Sequence, residues 1–442
     1  MIIREYPRKS LPMIALVVLA IFTASCGAPA TSGAPATGST VVFAMTMPFT
    51  GADGVFGSNA LAACTAAKTL INSHGGINGH QLDCLPVDTR GDPADAVPAV
   101  AKMLATTSNL VGVIGPSGDE ATAVAPLLDA ANVPFFPTAG DAPLGQWTYR
   151  SFYRLVPPDD VGGSAMALWA NQKGYKTAAA LFGSDISTQG TVPTLLAGLT
   201  KLGSPRLVSN QKVALDQTSY RTEIEQLLAT KPDVLFSELD APTASTFFSE
   251  LEQLAGGTMP FPVVFSNALL EPVWYSAVAK AIGGPSVLAK YFVGPNSIVA
   301  TSGPAWQDFA TALLASPKDV VKNPAQYDFV GTTQADFDGA NLMALAMVAA
   351  KSVDPQTYAP WIVKLTQPST GAIQVQDFTD GASALTAGKT IQFVGLAGTG
   401  INFNQWHNSP GGEEMEFWSN AGIITPIPGA VFTSTQLNAL GQ

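Results

Sequence analysis

The sequence predicts an α/β protein built as two doubly wound parallel-sheet lobes joined by a hinge. The first observation is length: 442 residues exceed the roughly 250–300 at which a single hydrophobic core stops growing. The second is a rhythm of short apolar runs alternating with helical patterns from Thr40 onward, as in a parallel sheet covered on both faces. The third is that this rhythm restarts after "LVPPDD", where Pro157 and Pro158 stop both helix and ladder.

Residues 41–47 read as a buried strand, 58–73 as a helix, 82–87 as a strand and 94–106 as a helix. "LVGVIG" is another buried strand, followed by a helix over 119–131 and the strand "VPFF". Gly75 and Gly76 close the first helix and Gly79 permits the reversal into the next strand. The second series places helices at 160–173, 192–202, 219–229 and 244–254, alternating with the strands "TAAALFG", "LVSNQKVAL", "DVLFS" and "FPVVFS". After "KYFVGPNS" the chain returns to helices, including 336–350, where Met343 and Met347 sit four apart and read as core. Trp406 and Trp418 read as packing residues. This third segment, with no new strand series, is expected to complete an existing lobe. Lobe 1 is then 41–156 with about 295–408, and lobe 2 is 157–294 with about 409–442. Open parallel sheets bind ligands beyond the carboxyl ends of their strands, so two such lobes set their strand-to-helix loops around one cleft.

Composition narrows the function. With 47% hydrophobic and 12% charged residues the chain is globular rather than disordered. Its formal net charge is −11, although residues 1–25 carry +2 (Arg4, Arg8 and Lys9 against Glu5). No Lys/Arg run follows Lys9, which argues against nucleic acid as a partner. His74, His80 and His407 are too scattered to suggest a metal centre. "GLAGTG" lacks the strand, helix and distant acid of a dinucleotide site, so no cofactor is expected. "GPSGD" lacks the G-x-S-x-G spacing, since only Gly118 follows Ser117. With no base paired to a nucleophile, the chain reads as a binding protein rather than an enzyme.

The N-terminus reads as an address. Arg4, Arg8 and Lys9 precede an apolar stretch over 11–22 and the small residues Thr23, Ala24 and Ser25, the layout of a secretory signal over 1–25. Twelve apolar positions fall short of the about 20 that span a bilayer. "TASCGAP" resembles the lipobox of bacterial lipoproteins, with Thr23 where Leu is commonest, and that resemblance implies lipidation at Cys26. Residues 26–40, with their repeated "GAPAT", form a flexible tether. Assigning Cys26 to lipid leaves Cys64 and Cys84. Cys64 lies on the apolar face of the first helix and Cys84 shares a strand face with Leu82, so a helix packed on that strand brings the sulfurs together. The alternative is two buried free thiols.

"MPFTGADGVFGSNALAACTAAKTLINSHGGINGHQLDCLPVDTRGDPADAVPAVAKML" resembles the first lobe of type I periplasmic solute-binding proteins, the branched-chain amino-acid receptor group of ABC importers. "VIGPSGDEATAVAPLLDAANVPFFPTAGDAPL" and "LTAGKTIQFVGLAGTGINFN" continue the likeness as far as about Asn404. In that family the first lobe holds a ligand carboxylate with hydroxyls and backbone N–H groups from two loops, matched here by "GPSGDEA" and "TAGDAP". The resemblance implies a hydroxyl and an N–H from Ser117 and Gly118 at a helix N-terminus, whose positive end favours an anion. It implies backbone contacts from Ala139 and Gly140.

Two departures stand out. Asp119 or Glu120 occupies the zone where serines are usual, and Asp141 stands where a small hydroxyl residue is expected. Either these carboxylates cap the helix and point away, or the ligand is not a simple zwitterionic amino acid. In the second lobe the matching loops are "GSDISTQG", "SELDAP" and "FSNALL". There Ser187 and Asp240 offer groups for an amine, hydroxyl or amide, and Asn267 lies beside the place of an ammonium-holding acid. In the first lobe Phe56, in the first loop, supplies an apolar wall.

The resemblance thus implies an exported, lipid-anchored monomer on the outer face of the cytoplasmic membrane. It captures an amino acid, an amide or urea-like compound, or another small polar solute, and delivers it to an ABC permease. The alternative is a sensor of the same fold that signals through a separate membrane partner. Cys26→Ala is expected to release the protein from isolated membranes into the soluble fraction; its retention there would overturn the anchor.

Overall fold

The computed structural model describes residues 38–50, 54–118, 120–184, 188–270, 272–398, 400–409 and 411–441. The lipidation site Cys26, Asp119 and Ser187 lie outside the described residues. The first sheet is wholly parallel, with β1 (Val41–Met47), β2 (Leu82–Asp88), β3 (Leu110–Ser117) and β4 (Phe135–Thr138) in the order β2-β1-β3-β4. The run "VVFAMTM" of β1 is buried throughout, because both faces of the sheet are covered. Phe43 and Met45 turn toward α1 (Gly54–Ser73), and Ala44 turns toward α2 (Pro93–Thr106) and α3 (Glu120–Ala130).

The second sheet alternates similarly. It takes α4 (Asp159–Gln172), β5 (Thr177–Gly183), α5 (Val192–Leu202), β6 (Arg206–Val213), α6 (Arg221–Ala229), β7 (Val234–Glu238), α7 (Ala241–Leu254) and β8 (Val263–Phe265) in turn. Then come α8 (Pro272–Ala281), α9 (Pro285–Tyr291) and β9 (Phe292–Ser297). The chain returns to the first lobe with α10 (Pro304–Leu314), α11 (Gly331–Ala350), α12 (Pro355–Lys364), β10 (Ile373–Val375), α13 (Phe378–Thr386) and β11 (Ile391–Phe393). It ends in the second with β12 (Glu413–Trp418), β13 (Ile424–Phe432) and α14 (Ser434–Gly441).

Helix α11 is the second cover of the first sheet, with Met343 and Met347 fully buried. Met343 also explains a glycine: a Cβ on Gly112 would sit 2.5 Å from its sulfur. In the second lobe Trp418 is buried, donates from Nε1 to the Leu269 carbonyl at 2.8 Å and lies against Tyr275.

Two expectations change. The first helix begins at Gly54, so Phe56 stands in its opening turn, partly buried against the first core, rather than in a loop. The third segment does carry strands. β10 and β11 pair with each other, while β12 and β13 extend the second sheet to seven strands, in the order β13-β12-β9-β8-β7-β5-β6, through antiparallel pairing. "EEMEFW" hides this because three glutamates interrupt its apolar pattern. Glu413 and Glu416 are nonetheless buried, and Asn296 Nδ2 donates to Glu416 Oε2 at 2.5 Å. β13 lies at the sheet edge, which accommodates Pro426 and Pro428 with no N–H to donate, Pro426 standing in register with Glu416.

The chain crosses between the sheets three times: after β4, after β9 and before β12. The first and third crossings lie side by side. Arg154 N–H donates to the His407 carbonyl at 2.9 Å, and Ser409 N–H donates to the Arg154 carbonyl at 2.8 Å.

Cys64 of α1 and Cys84 of β2 form a disulfide, and Lys68 Nζ lies 2.6 Å from Asp83 Oδ1 beside it. The cross-link closes a sequence separation of 20 residues, for which loop-closure entropy gives about 3 kcal/mol of stabilisation. Cys64→Ala with Cys84→Ala is expected to lower the unfolding free energy by about that amount, measured by urea titration; an unchanged midpoint would show that the cross-link adds no stability.

Candidate functional site

Each sheet presents a row of strand exits. At the exit of β1, the loop through Phe49 and Thr50 is held by Asp88 at the end of β2. Asp88 Oδ1 accepts from the N–H groups of Phe49 (2.9 Å) and Thr50 (3.2 Å), and Oδ2 accepts from Thr50 Oγ1 (2.6 Å). Burial pushes this carboxyl up, but the bonds from Thr50, Phe49 and Arg90 outweigh it and hold the pKa below the ordinary value.

β3 and β4 are neighbours, with Ser117 in register with Thr138. Their exits therefore bring Ser117 and Gly118 beside Ala139 and Gly140. Ser117 is buried. Gly118 adopts φ 47° with open space where a Cβ would stand. Glu120 opens α3 but turns inward: it is buried, and its Oε2 accepts from Thr89 Oγ1 at 2.8 Å and lies 3.5 Å from Ser117 Oγ. Glu120 is thus held by the hydroxyl of Thr89, at the exit of β2.

The β4 exit is held from behind. Arg154, fully buried on the first crossing, donates from Nη1 to the carbonyls of Asp141 (3.0 Å) and Ala139 (3.5 Å). Asn408, on the third crossing, donates from Nδ2 to the Gly145 carbonyl at 3.0 Å. Thr138 Oγ1 donates to Asp336 Oδ1 at 2.7 Å, and Asp336 sits in α11 near Gln334, which exchanges hydrogen bonds with both N–H and C=O of Ala300 on the second crossing. Burial raises Asp336 to about 7 against the Thr138 bond, and raises its neighbour Asp338 to about 8. Asp141 begins a short helical turn over Ala142–Gln146 without capping it.

In the second lobe Glu238, at the end of β7, is buried and accepts from Thr191 Oγ1 at 3.1 Å, a counterpart of the Thr89–Glu120 bond. Asp240 caps α7, its Oδ1 accepting from Thr243 N–H at 3.1 Å. Asn267 is exposed at the start of a helical turn after β8, the strand next to β7. Sequence reasoning passed over Thr138, Arg154, Asp336 and Asn408. Arg154 did leave a signal, as the lone cation of "SFYRLV". A groove of about 470 Å³ lined by Leu196, Leu199, Pro205 and Leu207 lies between α5 and the start of β6, at the end of the sheet opposite the exits. Among the described residues no group of three or more His, Cys, Asp or Glu is placed to hold a metal ion, and no helix is long and apolar enough to cross a membrane.

Residues 40–382 match the family model described as periplasmic binding protein. The chain belongs to that family. Its fold is the type I form, as in the leucine binding protein LivK of Thermotoga maritima, superposed with a TM-score of 0.64 at 17% identity over 89% of this chain and 99% of the other. A solute binding protein of an ABC transporter from Rhodopseudomonas palustris, in complex with p-hydroxybenzoic acid, superposes with a TM-score of 0.63 at 17% identity, covering 90% and 98% of the two chains. In sequence, an amino acid binding protein of Pseudomonas aeruginosa is 27% identical over 166 residues, 37% of this chain. The chain spans 44% of the length of that curated relative.

The raised carboxyl pKa values fix a pH dependence. A carboxyl whose folded pKa lies above its unfolded value keeps its proton in the fold after the unfolded chain has released it, so stability falls as pH rises through that window. For Asp336 the window runs from the ordinary 3.8 to about 7. The melting temperature is expected to fall between pH 5 and 8, and Asp336→Asn, which retains an acceptor for Thr138, to flatten that slope. Parallel slopes for the two proteins in circular dichroism melts would exclude Asp336 as a source.

Proposed function

We propose that the protein is an extracytoplasmic solute receptor, tethered through a lipid on Cys26, that closes two lobes on a small polar solute and presents it to an ABC permease. The closing bodies are 41–156 with about 295–408 and 157–294 with about 409–442, meeting at the three crossings. The observation that carries this reading is the arrangement of two α/β lobes whose strand exits hold candidate polar groups while side-by-side crossing strands offer a hinge. Ser117, Gly118, Ala139, Gly140 and Asp141 are proposed to receive the solute in the first lobe, Asp240 and Asn267 in the second, with Phe56 as a wall. Asp119 and Ser187 belong to the same loops by sequence.

Leucine and p-hydroxybenzoate, named for the structural relatives, both carry a carboxylate beside an otherwise different body. The inward turn of Glu120 and the capping role of Asp240 lessen the acidic objection to such a ligand. A receptor is stabilised by its solute through mass action, by about 2.7 kcal/mol at a hundredfold excess over Kd. Screening the full chain against amino acids, their amides, urea compounds and aromatic acids is expected to find one member that raises the melting temperature by several degrees. Asn267→Ala should weaken that member about tenfold, the effect of one lost polar contact. A screen in which no member shifts the melt would count against a receptor for these solutes.

A further inference from the structure

Each crossing is gripped by one lobe up to a definite residue and by the other lobe soon after it. On the second crossing Ser297 pairs with Glu413 of β12, and Ile298 N–H donates to the Gly412 carbonyl at 3.3 Å, which ties both to the second sheet. Two residues on, Ala300 belongs to the first lobe: its N–H donates to Gln334 Oε1 at 2.7 Å and its carbonyl accepts from Gln334 Nε2 at 2.8 Å. Val299 stands between the two grips. The first crossing is held to the first lobe through Arg154 and through Leu155, which packs against the first core. It passes to the second lobe at Pro158, whose carbonyl accepts from Val161 N–H at the start of α4. Val156 and Pro157 lie between. On the third crossing Asn408 is bonded to the Gly145 carbonyl and Ser409 to that of Arg154, whereas Glu413 is already part of β12. Gly411 falls in that interval.

These ungripped stretches touch one another. A Cβ on Gly411 would stand 2.7 Å from Pro157 Cγ, and one on Gly412 would stand 2.7 Å from Ile298 Cδ1. The third crossing therefore runs between the other two with no side chain in the way. Gly411 also has φ 54°, in the left-handed region that favours glycine. Building on the receptor reading above, in which two lobes close on a solute, we propose that the bending is confined to one line through Pro157, Gly411 and Val299, with Gly411 as the bearing against which the first crossing turns. Hinges are a few residues that absorb a change in torsion between rigid bodies. Arg154, Ala300 and Ser409 then travel with the first lobe, and the second lobe swings from Pro158, Ile298 and Gly412. Pro157 has a fixed φ and contributes rotation about ψ alone, whereas Gly411 contributes both torsions. Gln334 is a positioning residue of this hinge: by holding both polar groups of Ala300 it limits the second crossing to bending at Val299.

The test uses the full chain without any solute, carrying nitroxide labels on ketone side chains introduced at Lys102 of α2 and Lys201 of α5, exposed positions on the first and second lobes. Double electron–electron resonance reads the distance between them. Gly411→Ala is expected to move the mean distance by at least about 3 Å, since crowding at a hinge is amplified across the rigid bodies it joins. Adding Pro157→Ala, which removes the ring atom that the new Cβ meets, is expected to bring the mean back to within about 1 Å of wild type. Gly429→Ala, at φ 78° with open space around it, imposes comparable backbone strain away from the crossings and is expected to leave the distance unchanged. Gln334→Leu is expected to broaden the distribution and to speed amide hydrogen exchange of the segment 298–303 about tenfold or more. A wild-type mean in Gly411→Ala, a shift that Pro157→Ala does not reverse, or an equal shift in Gly429→Ala would overturn Gly411 as the bearing. Wild-type exchange of 298–303 or an unbroadened distribution in Gln334→Leu would overturn the positioning role, and this variant decides the hinge line if Gly411→Ala does not fold. With no solute present, a failed solute screen leaves the hinge assignment standing, and failure of the hinge assignment leaves the receptor reading standing.

Discussion

A buried guanidinium is a severe constraint, because a charge removed from water must be met by hydrogen bonds and opposing charge or the fold does not form. Arg154 meets it where the chain leaves the first lobe. Its side chain takes the carbonyls of the β4 exit, its backbone takes the third crossing, and burial raises the Asp160 carboxyl of α4, a rise that the Arg154 charge only partly offsets. The second crossing joins through Gln334 and the Thr138–Asp336 bond. All three crossings thus converge on one loop, and the loop cannot change shape independently of them.

The acidity of the chain is distributed in a way that net charge conceals. Glu120 and Glu238 are buried against threonine hydroxyls. Asp88, Asp240, Asp354 and Asp377 accept from backbone N–H groups of loops and helix starts. Carboxylates used in this way shape strand exits and helix ends. A formal charge of −11 therefore says little about the sign of the cleft.

The fold was legible wherever the hydrophobic period was clean. β1, β5 and α5 fall where the apolar runs put them, and the pairing of Cys64 with Cys84 followed from a helix face and a strand face. β12 was not legible, since its buried glutamates are satisfied by tertiary partners that periodicity does not register. The site was legible at the level of loops, because strand exits are set by topology. It was not legible at the level of side chains. Whether Glu120 faces outward depends on Thr89, 31 residues away, and Thr138 depends on Asp336, 198 residues away.

The order of segments also governs how such a chain can be assembled. The first sheet is complete by Thr138, yet α11, which covers one of its faces, begins at Gly331. The whole parallel series of the second lobe, β5 to β9, emerges in between, and its own sheet waits for β13 at the very end. Neither lobe is a contiguous stretch of polypeptide. A chain delivered N-terminus first thus carries a sheet face that α1 covers only in part until α11 arrives, and a truncation before α11 leaves both lobes incomplete.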